Sequence, residues 1–211
     1  MLSLIIEKII SAILIIIQRG GYLGIVGLMI IQSLNIPIPS EVIMPFSGFL
    51  ASQGVFNFWF VVLCGAIGNL VGGYLSYMLA AYVLANGLRE RSRVVRTLIS
   101  DKSLNRAQIW FEKYGSVSVL IGRIVPIVNT FISFPAGMAK MKMRYFLPFT
   151  FIGAMIWSYI LAKLGFILGE NWPILRTYFK QFDNILLIVI AAFIAVWIWK
   201  RFFKKESLDN L

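Results

Sequence analysis

The most informative segment of this chain is broken by three prolines: Ile36-Pro-Ile-Pro-Ser-Glu-Val-Ile-Met-Pro-Phe-Ser-Gly-Phe-Leu-Ala-Ser-Gln-Gly54. Apart from Glu41 and small polar residues the segment is apolar, but its prolines prevent one continuous helix. Broken backbone at membrane depth is tolerated only where protein or a water-filled cavity covers it. We therefore predict a re-entrant helical hairpin over residues 36–54.

A second segment repeats this pattern later in the chain. Residues 116–139 form an apolar run that contains Arg123, Pro126 and Pro135. A second re-entrant hairpin is the simplest structure for such a run.

The composition indicates a membrane protein with several spans. Of 211 residues, 59% are hydrophobic and 14% charged, whereas soluble domains average about 45–50% and about 25%. These values, with a mean hydropathy of +0.83, exclude an ordinary soluble globule and a disordered chain, and the lack of strand alternation excludes a porin. We predict one all-α polytopic membrane domain over residues 1–211, with spanning helices at residues 21–35, 55–86, 145–169 and 182–199.

The N-terminal residues 1–18 are apolar but carry a narrow polar stripe. Ser3, Glu7 and Ser11 recur every four residues, which places them on one side of a helix. This pattern favours an amphipathic helix lying on the membrane over a further span.

Basic residues predict the orientation of the chain. Residues 87–114 form a basic segment that ends in an amphipathic helix, and we place it in the cytoplasm together with Lys140, Lys142 and Arg144. Segment 116–139 then begins and ends on the cytoplasmic side of the membrane, whereas segment 36–54 begins and ends on the external side. Residues 21–86 and 116–169 are thus predicted to form an inverted-topology repeat with two opposed re-entrant hairpins, and the C-terminus is cytoplasmic.

The residue inventory excludes several kinds of chemistry. The chain has no histidine and a single cysteine, Cys64, so histidine-based hydrolytic triads, His-ligated zinc and an intrachain disulfide are excluded. We expect neither a metal nor a cofactor. The net charge of +11 is assigned to membrane orientation and anionic lipid, with no nucleic-acid partner expected.

Three charged residues fall within membrane segments: Glu41, Arg123 and Lys163. Such residues are costly in hydrocarbon and are usually paired or functional. Glu41 is a candidate for proton coupling and Arg123 for clamping a headgroup phosphate. The alternative for both is a structural Glu41–Arg123 ion pair, and Lys163 either snorkels or pairs with Glu41.

The proline-broken segments resemble the DedA family, also called SNARE-associated or VTT-domain proteins. The resemblance covers roughly residues 20–170, and its motifs are Ile36–Leu50, Gly65-x-x-Gly68-Asn-x-x-Gly72-x-Tyr74, Phe111-x-x-Tyr114-Gly115, Gly122-Arg-Ile-Val-Pro126, Phe134-Pro-Ala-Gly-Met-Ala-Lys-Met141, Phe146 and Gly153-x-x-x-Trp157.

This resemblance implies a bacterial inner-membrane protein that moves undecaprenyl phosphate or a phospholipid and depends on the proton-motive force. Glu41 matches the family's essential acid and Arg123 its first essential arginine. Asn129 stands where the family often has a second arginine, and Asn69 where it often has an acid. With one cation fewer, phosphatidylethanolamine becomes a competing substrate.

The favoured hypothesis is a lipid flippase in which Arg123 and Asn129 contact the headgroup and Glu41 couples to protons. Lys163, Asn69 and Ser40 are secondary site candidates. A non-transporting scaffold with a structural Glu41–Arg123 pair is the main alternative, and an enzyme acting on lipid phosphate is the least favoured one. The sequence leaves the oligomeric state open, including a homo-oligomer.

Overall fold

The computed structural model describes residues 2–36, 38–86, 101–126 and 128–169. All regular structure in these ranges is helical, which confirms the predicted all-α class for them. Part of the predicted basic loop (87–100) and the predicted span 182–199 lie outside the described residues. In chain order the helices are α1 (Leu2–Ser33), α2 (Ser40–Ser52), α3 (Phe58–Ala85), α4 (Asp101–Tyr114), α5 (Val117–Ile124), α6 (Val128–Phe131), α7 (Ser133–Met138) and α8 (Met143–Ile167).

Three stretches of the described chain are long and apolar enough to cross a membrane: Lys8–Ser33, Phe58–Ala85 and Met143–Ile167. At 1.5 Å per residue, α3 extends over about 42 Å and α8 over about 38 Å. Both lengths exceed the ~30 Å hydrocarbon core of a bilayer. The chain is therefore a multi-pass membrane protein.

Helix α1 is divided by a sharp bend at Gly21. This residue has φ 56° and ψ −137°, a backbone conformation that favours glycine. A Cβ built on Gly24 would lie 2.5 Å from the Ile16 carbonyl oxygen, although eight residues of straight helix would separate them by about 12 Å. The bend lies at the first residue of the predicted span 21–35, shortly after the predicted interfacial helix 1–18. The membrane positions of both segments remain predictions.

A single short helix, α2, fills most of the first proline-broken segment. Its 13 residues give a length of about 20 Å, too short to cross the hydrocarbon core. Pro45 lies inside α2 and has no N–H to donate to the carbonyl of Glu41, four residues earlier. The re-entrant path of this segment remains a prediction.

The second proline-broken segment is divided into three short helices, α5, α6 and α7. Helix α5 ends when Val125 turns to an extended conformation (ψ 124°) directly before Pro126, as expected for the residue that precedes a proline. The chain then continues through α6 and α7 without a helix longer than six residues. These breaks bring Arg123, Asn129 and Ser133 to one place.

Two of the short helices, α2 and α7, pack on long helices. Gly48 of α2 lies against the backbone of Ala162 in α8, and Gly137 of α7 lies against the carbonyl of Tyr77 in α3. Because a side chain at either glycine would overlap the facing backbone, both contacts require glycine. Each proline-broken segment therefore packs on the long helix of the other half.

Candidate functional site

Arg123 is the centre of a buried polar cluster. It lies in the last turn of α5 and is 0% exposed. Two glycines make room for its side chain: Gly73 of α3 lies against Nη2, and a Cβ at Gly153 of α8 would approach Arg123 Cβ to 2.6 Å. Three helices thus enclose the arginine, so that its charge must be satisfied within the protein.

The guanidinium of Arg123 donates to neutral groups from two parts of the chain. Nη1 donates to Oδ1 of Asn69 at 3.3 Å, to Oδ1 of Asn129 at 3.3 Å and to the Asn129 carbonyl at 3.0 Å. Nη2 donates to the Ser133 hydroxyl at 2.6 Å. No carboxylate is among these partners, so the positive charge has no counter-charge within the described residues.

A chain of hydrogen bonds extends the cluster to the end of α1. The Ser33 hydroxyl donates to Oδ1 of Asn69 at 2.6 Å, and Gln32 donates to the Thr130 hydroxyl at 2.8 Å. Asn35, which follows α1, donates to the Ser76 hydroxyl of α3 at 3.0 Å. Of these three bonds, the one from Gln32 to Thr130 links the first half of the chain to the second, and the other two lie within the first half.

Several donors in this cluster lack an acceptor within the described residues. They are Nε of Arg123, Nδ2 of Asn69 and Nδ2 of Asn129, and all three are buried. Buried polar groups are almost always hydrogen-bonded in folded proteins, so three unpaired donors on three adjoining residues require an explanation. Donors without acceptors around a buried cation fit an anion with several oxygens, such as phosphate.

Glu41 lies apart from this cluster, in the first turn of α2. It is half-buried, and its Oε2 accepts from the Ser40 hydroxyl at 3.2 Å. The same hydroxyl accepts from the indole N–H of Trp157 in α8 at 3.3 Å. The helix N-terminus favours a carboxylate at this position. The alternative of a structural Glu41–Arg123 ion pair is wrong for this structure, because the Arg123 guanidinium has only neutral partners among the described residues.

Lys163 contacts aromatic rings and does not pair with Glu41. Its ammonium lies 5.9 Å from the ring centre of Phe58 and 5.2 Å from that of Phe166. Such cation–π contacts stabilise a half-buried ammonium by about 0.5–2 kcal/mol. These contacts involve neither the Arg123 cluster nor Glu41, and a secondary role of Lys163 in the site remains a prediction.

Sequence reasoning missed the neutral members of the cluster: Gln32, Ser33, Asn35, Ser76, Thr130 and Ser133. Four of the six, Gln32, Ser33, Ser76 and Ser133, are at most 1% exposed, and Asn35 and Thr130 are half-buried. The available signal was that these polar residues lie within or beside apolar runs. Small polar residues are common in membrane helices as packing groups, so their types alone did not separate a cluster from ordinary packing.

Comparison with known proteins gives a family match. The VTT domain matches residues 38–167. The chain is 30% identical over 194 residues to undecaprenyl phosphate transporter A of Bacillus subtilis, covering 90% of this chain and 94% of that protein. It is 29% identical over 199 residues to an alkaline phosphatase-like protein of Lactococcus lactis subsp. lactis, covering 91% and 93%.

Protein DedA of Escherichia coli is also similar, at 26% identity over 159 residues that cover 74% of this chain and 68% of that protein. No solved structure matches the chain. All of the residues that form the Arg123 cluster in the second half, and Asn69 in the first, fall within the matched range 38–167.

Proposed function

Because this chain belongs to the VTT-domain family, we propose that it is a DedA-type flippase in the bacterial cytoplasmic membrane. Its substrate is a phosphate-bearing lipid, either undecaprenyl phosphate or a phospholipid such as phosphatidylethanolamine. The observation that carries the proposal is the buried Arg123 guanidinium. Its partners among the described residues are neutral, and its own Nε and the side-chain amides of Asn69 and Asn129 are buried donors without an acceptor there.

In this proposal the cluster holds the headgroup while the acyl chains remain in lipid. Phosphate oxygens accept from Nε of Arg123 and from the side-chain amides of Asn69 and Asn129. The cluster is closed to solvent in this conformation, so headgroup entry requires α5–α7 to move relative to α3. An inverted repeat provides such movement of one half against the other. The packing of α2 on α8 and of α7 on α3 supports that arrangement.

Glu41 is proposed as the proton-coupling residue. Helix α8 connects it to the cluster, since Trp157 contacts Ser40 and Gly153, one turn earlier, contacts Arg123. A change at Glu41 that shifts α8 would thus reach the headgroup site. This supplies a physical route for dependence on the proton-motive force.

The two positions that depart from the family pattern meet at one atom. Asn69 and Asn129 both accept from Nη1 of Arg123. Replacing an acid at 69 and a base at 129 by two neutral amides leaves the net charge of the cluster at +1. We propose that undecaprenyl phosphate therefore remains as suitable a substrate as phosphatidylethanolamine.

Reconstitution tests the proposal. The purified chain in vesicles should speed the movement between leaflets of a fluorescent polyprenyl phosphate or of fluorescent phosphatidylethanolamine, compared with empty vesicles. No acceleration with any headgroup would favour the scaffold. Release of inorganic phosphate from the lipid would instead favour a phosphatase.

Glu41→Gln tests the coupling step. Glutamine keeps the shape of the side chain but does not titrate, so the variant should insert normally and lose the dependence of lipid movement on a pH gradient. Ser47→Ala, a buried hydroxyl of α2 that bonds the Ile43 carbonyl, is the control for disturbance of α2. Unchanged gradient dependence in Glu41→Gln would contradict proton coupling through this residue.

A further inference from the structure

A groove lies between helix α4 and the turn that joins α7 to α8. Its volume is about 470 Å³, which is enough for a phosphoglycerol group. The side chains that line it include Gln108, Phe111, Glu112, Lys140, Lys142 and Tyr145. None of these residues belongs to the Arg123 cluster, and the proposed function does not use them.

The groove carries a net positive charge. Lys140 and Lys142 are both exposed, and no hydrogen bond or ion pair within the described residues occupies either ammonium. Glu112 is the acidic residue of the lining. Arg144 is close in sequence, but its guanidinium lies 4.7 Å from the ring centre of Tyr145 and is outside the lining.

The turn that carries the two lysines is fixed. Lys140 has φ 51°, an unusual conformation for a residue with a Cβ. The Tyr77 hydroxyl donates to the Met141 carbonyl at 2.6 Å, and the Met141 N–H donates to the Ala136 carbonyl at 3.1 Å. Both lysines are therefore presented to the groove by a pre-organised backbone, which lowers the entropy cost of binding.

Exposed aromatic side chains indicate the depth of the groove in the bilayer. On α4, Trp110 is 51% and Tyr114 is 50% exposed, and at the opposite wall Tyr145 is 42% exposed. Tryptophan and tyrosine collect at the level of the lipid headgroups. A groove with two lysines at that level faces headgroup phosphates.

We propose that this groove binds the headgroup of an anionic phospholipid from the adjacent leaflet, at a site separate from the Arg123 cluster. The two ammonium groups contact the phosphate, and Gln108 contacts polar atoms of the headgroup. Tyr145 and Phe111 contact the glycerol and the upper acyl chain. Binding at this site requires neither Arg123 nor lipid movement, so its test is independent of the proposed function.

The test counts phosphatidylglycerol molecules retained by the full chain after transfer from phosphatidylglycerol–phosphatidylcholine nanodiscs, using native mass spectrometry. The wild type should retain one phosphatidylglycerol that the double variant Lys140→Gln/Lys142→Gln loses. The matched control Arg144→Gln, which removes a neighbouring charge outside the groove, should retain it. Glu112→Gln should raise retention severalfold, because it removes the negative charge from the lining.

Three outcomes would overturn the proposal. Equal losses in the double variant and in Arg144→Gln would mean that general surface charge attracts the lipid. Retention unchanged in the double variant would place the lipid elsewhere. Displacement of phosphatidylglycerol by millimolar inorganic phosphate would assign the groove to free phosphate and not to a lipid.

Discussion

A buried arginine without a carboxylate partner is costly, and Arg123, whose partners among the described residues are all neutral, carries this cost. A charged side chain at the centre of a bilayer costs at least about 2.5–3.5 kcal/mol on insertion scales. Four hydrogen bonds to neutral oxygens offset part of that cost, but they leave the charge itself uncompensated. A site that binds an anion benefits from this arrangement, because a carboxylate partner would compete with the phosphate.

The shared contact of Asn69 and Asn129 with one nitrogen predicts that the two positions are coupled. Asn69→Asp should pair with the guanidinium and lower the rate of lipid movement about tenfold, since the carboxylate displaces the headgroup. Asn129→Arg alone adds a second buried cation and should shift preference toward the more highly charged polyprenyl phosphate. The double variant restores the net charge of +1.

The rates of lipid movement for the wild type, Asn69→Asp, Asn129→Arg and the double variant form a double-mutant cycle. If the two positions were independent, the relative rate of the double variant would equal the product of the relative rates of the two single variants. We expect its measured rate to be at least tenfold higher than that product, which corresponds to a coupling of about 1.4 kcal/mol. A double-variant rate equal to that product would mean that Asn69 and Asn129 act independently, which would contradict a shared site.

The sequence singled out two charged candidates, Glu41 and Arg123, and two neutral residues, Asn69 and Asn129, that contact Arg123 in the structure. Glu41 and Arg123 stood out because a charge in an apolar run is rare, and Asn69 and Asn129 because they occupy positions matched by the resemblance. The hydrogen-bond partners of Arg123 could not be predicted from the sequence. Ser133 and Asn129 contact Arg123 only because helix α5 ends directly before Pro126. Pairing by opposite charge alone led to the Glu41–Arg123 alternative, which the observed neutral partners exclude.

At the level of the helices, glycine contacts position the site. Helix α8 approaches α5 because Gly153 has no side chain where Arg123 Cβ lies. Bringing a Cβ to 2.6 Å from another carbon requires a shift of one helix or of the arginine. The length and apolar character of α3 and α8 were predicted from sequence, but which faces meet was not, because glycines recur throughout both halves.

Gly153→Ala should therefore impair the site more than the fold. We expect lipid movement to fall about tenfold or more, with an unfolding midpoint lowered by a few degrees, because a displaced guanidinium no longer meets Asn129 and Ser133. The control is Gly27→Ala on α1, where a Cβ would meet no atom within 4 Å. Equal rates of lipid movement in the two variants would mean that α8 does not position Arg123.

For the whole molecule, the inverted repeat remains a prediction, and its sidedness follows from the basic residues. Labelling of single cysteines in a Cys64→Ala background tests it. A cysteine in place of Gln53, which is exposed after α2, should react with an impermeant thiol reagent added outside. Cysteines in place of Asn86 or Lys142 should react only after the membrane is opened. External reaction of Lys142 with protection of Gln53 would reverse the orientation.

We propose that the Arg123 guanidinium binds the lipid phosphate. Arginine offers several N–H donors in a fixed plane, whereas lysine offers a point charge on a shorter reach. The most direct measurement is the rate of lipid movement in vesicles for Arg123→Lys beside Arg144→Lys, an arginine whose guanidinium lies over Tyr145 outside the cluster. We predict that Arg123→Lys folds and inserts but loses about 10- to 100-fold in rate, as expected for the loss of one or two charge-assisted bonds, while Arg144→Lys keeps the wild-type rate. Wild-type rates in Arg123→Lys would contradict the claim and place the headgroup elsewhere.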